Sequence, residues 1–417
     1  MEGSVANLPK DRARTGAGAR KASRAWWSVH QWVGLKLSIF MSFVLLTGTL
    51  AVFSNEIDWL LDPNLRVARA TSADQSILWA EAAASIQAAL PEARIVSLDA
   101  PVDQGFAMSA FVRNEDGAFR RALADPYTGK FIATAPRLNA QTVLRRLHRH
   151  LFMPIKFGVP IVSSLSILLL ISLVTSFVVY KKWWRGFFKP MRVRDARTLM
   201  GDFHRLAGLW SLWFVALIAL TGVWYLVESL GGRAPGHPSA KVAPVDIPPA
   251  EIGDALARSL DAAREANPDL RIGRIMFPTA KSGAFVIQGQ DKAILVRERA
   301  NAVWIDAATG EATMTVDARD LSVHQRISEA ADPLHFGYFG GLATKLIWFV
   351  FGAAMTALSL SGAAIYSLRL LRETRAKPTV GAVAGRAVAG AGWWAWPSAG
   401  LVVAGFAFWI IVAAKGL

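Results

Sequence analysis

Five stretches of the chain stay apolar for longer than a soluble helix or strand requires: 29–53, 155–180, 206–227, 342–368 and 393–414. Each is long enough to cross about 30 Å of hydrocarbon as a helix. Gly and Ser recur inside them, as expected where helices pack closely in lipid. Two long polar inserts separate the first four. In the first insert the periodicity predicts a helix over 78–90 and short strands over 94–98, 107–113, 118–123 and 130–133. Pro126-Tyr127-Thr128-Gly129 predicts the turn before the last strand. The second insert begins with a Gly- and Pro-rich segment (231–249). It then predicts a helix over 250–265, strands over 272–276, 284–288, 293–297 and 303–305, and a turn at Thr309-Gly310.

The two halves run in the same order. His30-Gln31-Trp32-Val33-Gly34-Leu35 opens the run that reaches Thr47-Gly48, and His204-Arg205-Leu206-Ala207-Gly208-Leu209 opens the one that reaches Thr221-Gly222. On an unbroken helix His30 would share a face with Gly48, and His204 with Gly222, about 27 Å along the axis. Each insert contains Asp-x-x-Thr-Gly (125–129 and 306–310) and ends in Leu-His, at Leu147-His148 and Leu334-His335. The expected fold class is membrane α-helical. A duplicated helix–insert–helix unit gives a four-helix transmembrane core with a fifth, peripheral helix and two small α+β modules. The expected segments are a basic N-terminus (1–28), first span (29–53), first module (54–147) and second span with its lead-in (148–180). A loop (181–203), third span (204–228), second module (229–334), fourth span with its lead-in (335–368), loop (369–392) and fifth span (393–417) follow.

Composition agrees: 53% of the 417 residues are hydrophobic. The net charge of +15 comes largely from three segments, 10–24, 181–197 and 369–386, which hold 18 Lys and Arg. Such charge beside spans predicts cytoplasmic loops, with the N-terminus inside and both large inserts outside. It does not line one folded face, so a nucleic-acid partner is not expected; the lipid bilayer is. The first apolar run is too long for a signal peptide's core and reads as an uncleaved span. The absence of cysteine excludes thiolate-ligated haem, c-type attachment, cysteine-ligated iron–sulfur clusters and disulfides, but leaves b-type haem open. No His-Glu-x-x-His, Gly-x-Ser-x-Gly, phosphate loop or strand–helix Gly-x-Gly-x-x-Gly is present, so hydrolytic or nicotinamide chemistry finds no support.

The histidines then carry the candidate chemistry. A single interfacial imidazole can simply reach headgroups. Recurrence in equivalent positions points elsewhere, because facing helices of a bundle can hold a cofactor between them. His30 with His204 would ligate one haem iron near the cytoplasmic side, and His148 with His335 a second near the outer side. The two levels are expected 25–30 Å apart, from about twenty helical residues at about 1.5 Å each. His150 is the alternative to His148, and His324 a weaker alternative at the outer level; His237, in Pro235-Gly236-His237-Pro238, reads as exposed loop. Arg145, Arg146, Arg149 and Lys156 could bind haem propionates or attract an anionic ferric chelate, or else anchor headgroups. Thr47-Gly48, Thr221-Gly222 and Ser361-Gly362 read as packing positions. Gly34 and Gly208, one turn from a histidine, either admit a porphyrin face or allow close packing.

With these residues in place the chain resembles the PepSY-associated transmembrane family, the bacterial iron-regulated membrane proteins, over about 24–372. The resemblance rests on the two His openings followed by Gly-Leu, the Thr-Gly positions, the two Asp-x-x-Thr-Gly inserts and the Leu-His returns. It implies two PepSY-like periplasmic modules in a multi-pass protein of the bacterial inner membrane. In siderophore-reductase members it also implies two b-type haems that pass electrons to a periplasmic ferric siderophore, releasing Fe(II). Carried onto this chain, the axial ligands are His30, His204, His148 and His335, with an unidentified electron donor, a quinol or a reductase. His148-Arg149-His150 departs from the pattern, since two histidines compete for one role. The PepSY name also implies an alternative, a membrane-anchored module that binds or regulates a periplasmic protease.

Overall fold

The computed structural model describes residues 24–70, 76–136 and 138–414. The chain forms two compact units, one within 24–50, 146–230 and 346–412, the other within 51–145 and 231–345.

The first unit is helical. Helices α1 (Arg24–Lys36) and α2 (Ser38–Ala51) meet at a 67° bend. The expected continuous first span is therefore broken at Leu37, and His30 and Gly48 do not share a helix face. A short helix α3 (Ser54–Leu61) leads to α4 (Trp79–Ala89), both in the other unit. The chain returns through α5 (Ala140–His150), whose last turns belong to the helical unit, and continues as α6 (Ile155–Ser163) and α7 (Leu165–Val179). Leu151 and Phe152 join α5 to α6 with φ of 55° each, a left-handed backbone that bulky residues rarely adopt. Leu151 is fully buried, and the Arg146 guanidinium lies 5.7 Å over the Phe152 ring.

Next come α8 (Ala196–Trp210), broken from α9 (Leu212–Ser229) at Ser211. His204 thus precedes the third span rather than opening it. Later helices are α12 (Gly341–Glu373), α13 (Val380–Ala391) and α14 (Ala395–Ala414). Among the described residues four stretches are long and apolar enough to cross a membrane: Ile155–Val179, Leu212–Ser229, Gly341–Glu373 and Val380–Ala414. The bent α1–α2 pair is a fifth if counted as one span. The 369–392 loop expected from its charge contains α13. The fifth helix packs on the first two, through Trp394 on Trp32 (5.6 Å) and Phe406 on Phe43 (5.7 Å). Hydroxyl pairs bind α2 to α12: Ser42 to Ser359 at 2.8 Å and Thr49 to Thr356 at 3.3 Å.

The second unit contains one eight-stranded antiparallel sheet instead of two separate modules. Each insert supplies one long helix and four strands. The first gives α4, β1 (Arg94–Asp99), β2 (Met108–Arg113), β3 (Phe119–Ala124) and β4 (Phe131–Ala135). The second gives α10 (Ile252–Ala266), β5 (Arg271–Met276), β6 (Ala284–Gln290), β7 (Asn301–Asp306) and β8 (Ala312–Val316). The order β4-β3-β2-β1-β5-β6-β7-β8 joins the halves at β1–β5, in the register Ser97↔Met276, Leu98↔Ile275, Asp99↔Arg274. Inward-facing Leu98, Met108, Val112, Ile275, Phe285 and Ile305 meet α4 and α10 in one core. Helix α11 (Val323–Phe336) closes the insert and begins with a capping box from Ser322 and Gln325.

The two Asp-x-x-Thr-Gly segments make the same turn. Asp125 Oδ1 accepts from the Tyr127 and Thr128 amides, and Asp306 Oδ1 from the Ala308 amide. Gly129 and Gly310 then take φ of 68° and 76°, which a side chain would oppose. Residues 293–297, expected as a strand, are irregular: Leu295 has φ 54°, while Ala293 and Val296 bury against Ala300 and Ala318. The strand of that half is β8, after the turn, where no strand was expected.

Candidate functional site

Helix α1 carries His30 and α8 carries His204. Asp195 caps α8 by accepting from the Thr198 amide. Asp202, on the same helix, holds Arg192 through 3.0 and 3.2 Å contacts, with Arg205 at 3.6 Å. The Arg192 hydrogen bonds outweigh burial and lower the Asp202 pKa to about 2, so it is a carboxylate throughout the physiological range. These ties fix the helix on which the next residue but one is His204.

The two imidazoles lie together, ring centroids 6.5 Å apart and planes at 87°. Each is oriented by a buried hydroxyl. His30 Nδ1 lies 2.9 Å from Thr175 Oγ1, and His204 Nδ1 lies 2.8 Å from Ser361 Oγ. Thr175 donates its only hydroxyl proton to the backbone carbonyls of Ile171 and Ser172, and Ser361 to that of Leu358. With those protons on the carbonyls, both oxygens can accept from Nδ1–H imidazoles, which leaves each Nε2 lone pair available to a metal.

The ring spacing is close to that of two imidazoles sharing one metal. Two metal–nitrogen bonds of about 2.0–2.1 Å, plus about 1.1 Å from nitrogen to ring centroid on each side, give ~6.3 Å between centroids. A Cβ added at Gly34 would meet nothing within 4 Å, and one at Gly208 only Leu358, at 3.6 Å. Gly362 faces the His204 ring, where a Cβ would stand 3.5 Å from Cε1. Packing therefore does not demand glycine at 34 or 208.

His148 sits near the end of α5. Its Nδ1 lies 2.9 Å from the Val44 carbonyl, which can only accept, so this imidazole too carries its proton on Nδ1. Gly48 makes the approach possible: a Cβ there would fall 2.6 Å from His148 Cε1. Val44 and Gly48 lie on the stretch of α2 that meets α12 between Gly352 and Ser359. His204 meets α12 at Ser361 and Gly362. At about 1.5 Å per residue the two levels are on the order of 10 Å apart along α12, well short of the separation expected from unbroken helices.

His150 is a turn residue. Its Nδ1 donates to the Met153 carbonyl at 2.8 Å, and its own carbonyl accepts from the Met153 amide. Burial, with Arg149 and Arg146 nearby, lowers its pKa below the usual imidazole value. His335 lies in the last turn of α11, half-buried, its ring 5.5 Å from Phe336. It belongs to the sheet-bearing unit and His148 to the helical one. His324 is exposed, with Nε2 on the Gly232 carbonyl at 3.2 Å. His237 is not an exposed loop residue as expected. It is half-buried, with Nε2 3.0 Å from Glu329 Oε1. Of the candidate arginines, Arg145 stacks 4.8 Å over the Phe336 ring and Arg149 is exposed.

Sequence pattern alone does not single out Thr175 from its neighbours Ser172 and Ser176, and Ser361 reads there as a packing position. The Thr221-Gly222 pair does pack, with Gly222 against Ser166.

A bundle with paired, hydroxyl-oriented imidazoles, joined to a mixed helix–sheet unit, defines a membrane protein with a candidate metal or haem centre. The family model described as the PepSY-associated TM region matches residues 27–369, and the chain belongs to that family. No curated protein matches it.

Proposed function

We propose that the chain is an inner-membrane di-haem b electron-transfer protein. It takes electrons from the cytoplasmic side or the quinol pool and delivers them to a periplasmic ferric siderophore, releasing iron as Fe(II). The observation that carries the reading is the His30–His204 pair with both Nδ1 atoms held by hydroxyls. His30 and His204 would hold one haem iron, with Thr175 and Ser361 orienting the two rings. For the outer level, His148 and His335 follow from the sequence repeat alone; the Nδ1–H tautomer of His148 suits the role.

A bound b-type haem supplies reversible one-electron chemistry, tuned by its axial ligands and burial. The chain's own residues do the rest: they bind and orient, and the apolar helices keep water away. Iron held by hard anionic oxygen donors is bound far more tightly as Fe(III) than as Fe(II). One electron per ion therefore releases it without acid or base catalysis.

The test is an absorption spectrum of the detergent-purified protein, oxidised and dithionite-reduced, with haem measured per chain. A Soret band that shifts on reduction, sharp α and β bands and about two haems per chain are expected. His30→Ala with His204→Ala should remove half, and His148→Ala with His335→Ala the other half. A colourless protein from haem-replete cells would sink the proposal and favour the membrane-anchored binding module. Reoxidation by ferric hydroxamates or catecholates then tests the acceptor.

A further inference from the structure

The segment between α7 and α8, 180–195, mixes two kinds of exposed side chain. Seven Lys and Arg lie between 181 and 197, all exposed. Among the described residues, Lys181, Lys182, Arg185 and Lys189 pair with no carboxylate. The same segment leaves large apolar groups mostly exposed: Phe188 is 86% exposed, Val193 84% and Trp184 56%.

The segment is nevertheless built firmly. Arg205, next to His204 on α8, donates to the carbonyls of Gly186 (2.6 Å) and Lys189 (2.9 Å). Arg192 is clamped to Asp202 through its backbone amide and its guanidinium. Trp210 Nε1 donates to the Phe187 carbonyl, and the Phe188 ring packs edge-on to Trp210 at 5.8 Å. Gly186 is pressed so close that a Cβ would fall 2.6 Å from Leu209 and 2.7 Å from the Tyr180 hydroxyl. Side chains are thus held outward by a preformed backbone, directly after the apolar span that ends at Val179.

We propose that this segment is a binding site for anionic phospholipid headgroups in the leaflet at this end of the spans. Exposed Trp and Phe at a span end belong at headgroup depth, where ring and polar tip are both satisfied. Unpaired Lys and Arg beside them attract anionic headgroups, each worth about a fivefold gain in partition. An acidic protein surface would match the charge but would leave Phe188 and Val193 without an apolar layer to enter. Because Arg205 and Asp202 hold the segment to α8, a bound lipid braces the helix that carries His204.

The test uses the full chain reconstituted in an equimolar mixture of phosphatidylglycerol and phosphatidylcholine, then re-extracted for lipid analysis. Retained lipid should be enriched severalfold in phosphatidylglycerol. Combined Lys181→Gln, Lys182→Gln, Arg185→Gln and Lys189→Gln should bring the ratio back towards the input. Arg369→Gln, Arg375→Gln, Lys377→Gln and Arg386→Gln, the same change in charge elsewhere, should leave it. No enrichment in the unaltered chain overturns the proposal, and so does equal loss in both variants. A second readout needs no variant. A photo-crosslinkable phosphatidylglycerol should leave adducts on peptides from 181–197; adducts confined to other segments would refute the site.

Discussion

A neutral imidazole offers its lone pair on one nitrogen only, so whatever takes the other proton decides what a histidine can bind. Thr175 and Ser361 sit on the Nδ1 atoms of His30 and His204, and each hydroxyl also has a backbone carbonyl to take its own proton. Thr175→Val or Ser361→Ala should preserve the fold yet weaken haem retention by about 10–100-fold, the usual effect of losing a ligand-orienting partner. Titration of haem into the depleted protein measures it, and unchanged affinity would count against the site. Gly48 is the other decisive residue. Gly48→Val would drive its side chain into the His148 ring and off the Val44 carbonyl, at a cost of about 1–3 kcal/mol. Gly34→Ala, which meets nothing, should be near neutral in the haem-free protein; thermal unfolding of the two variants compares them. The approach of His30 to His204 is legible in the sequence because the two recur, whereas a pairing of His148 with His335 rests on the repeat alone. The hydroxyls are not legible, since Ser and Thr in apolar runs normally bond back to their own helix and only tertiary packing brings an imidazole to them.

At the scale of elements, local pattern read the sheet unit well and the bundle less well. Helices at 78–90 and 250–265 and most strands fall within about two residues of α4, α10 and their strands. Alternation and turn chemistry are local signals, and the Asp-x-x-Thr-Gly turns state their geometry in five residues. The breaks at Leu37 and Ser211 carry no such signal: neither residue is Pro or Gly. Residues 293–297 form a short apolar run that reads as a buried strand, but Ala293 and Val296 bury against Ala300 and Ala318 and Arg297 reaches Glu329 and Asp332. Element ends are also tied over long range. Asp58 accepts from the Ala140 amide at 2.6 Å and the Gln141 amide at 3.1 Å, capping α5 from a distant part of the chain. Burial raises its pKa, although these amides and Arg121 oppose the shift. Asp58→Ala should cost about 1 kcal/mol, as lost caps do, and speed hydrogen exchange at the start of α5, the helix that delivers His148. Unchanged exchange there would mean that the cap contributes nothing.

For the whole molecule, the continuous sheet means that the two inserts are not independent modules. Backbone bonds cross the seam from the Ala100 amide to Gly273 and from the Phe277 amide to Val96, Asp99 pairs with Arg274 across it, and α4 and α10 share one core. Both inserts should therefore lose hydrogen-exchange protection in one cooperative step; two separate steps would refute the shared core. Acid should trigger that step through Glu329. Its side chain is 1% exposed and accepts from Arg297 at 2.8 and 2.9 Å, Arg299 at 2.9 Å and His237 at 3.0 Å. Burial alone would raise its pKa, but the arginines outweigh burial and hold it below the usual carboxylate value. A carboxyl whose folded pKa is depressed stabilises the fold fully above its unfolded pKa, near 4.5. As pH falls from there towards the folded value, the unfolded chain binds the proton first, and stability drains away. Glu329→Gln should remove that part of the pH dependence. It should also cost about 1–3 kcal/mol at pH 7, because Arg299 loses its carboxylate and Arg297 keeps only Asp332. Denaturant midpoints from pH 7 down to 3, for both proteins, decide the matter: parallel profiles would show that the acid sensitivity lies elsewhere.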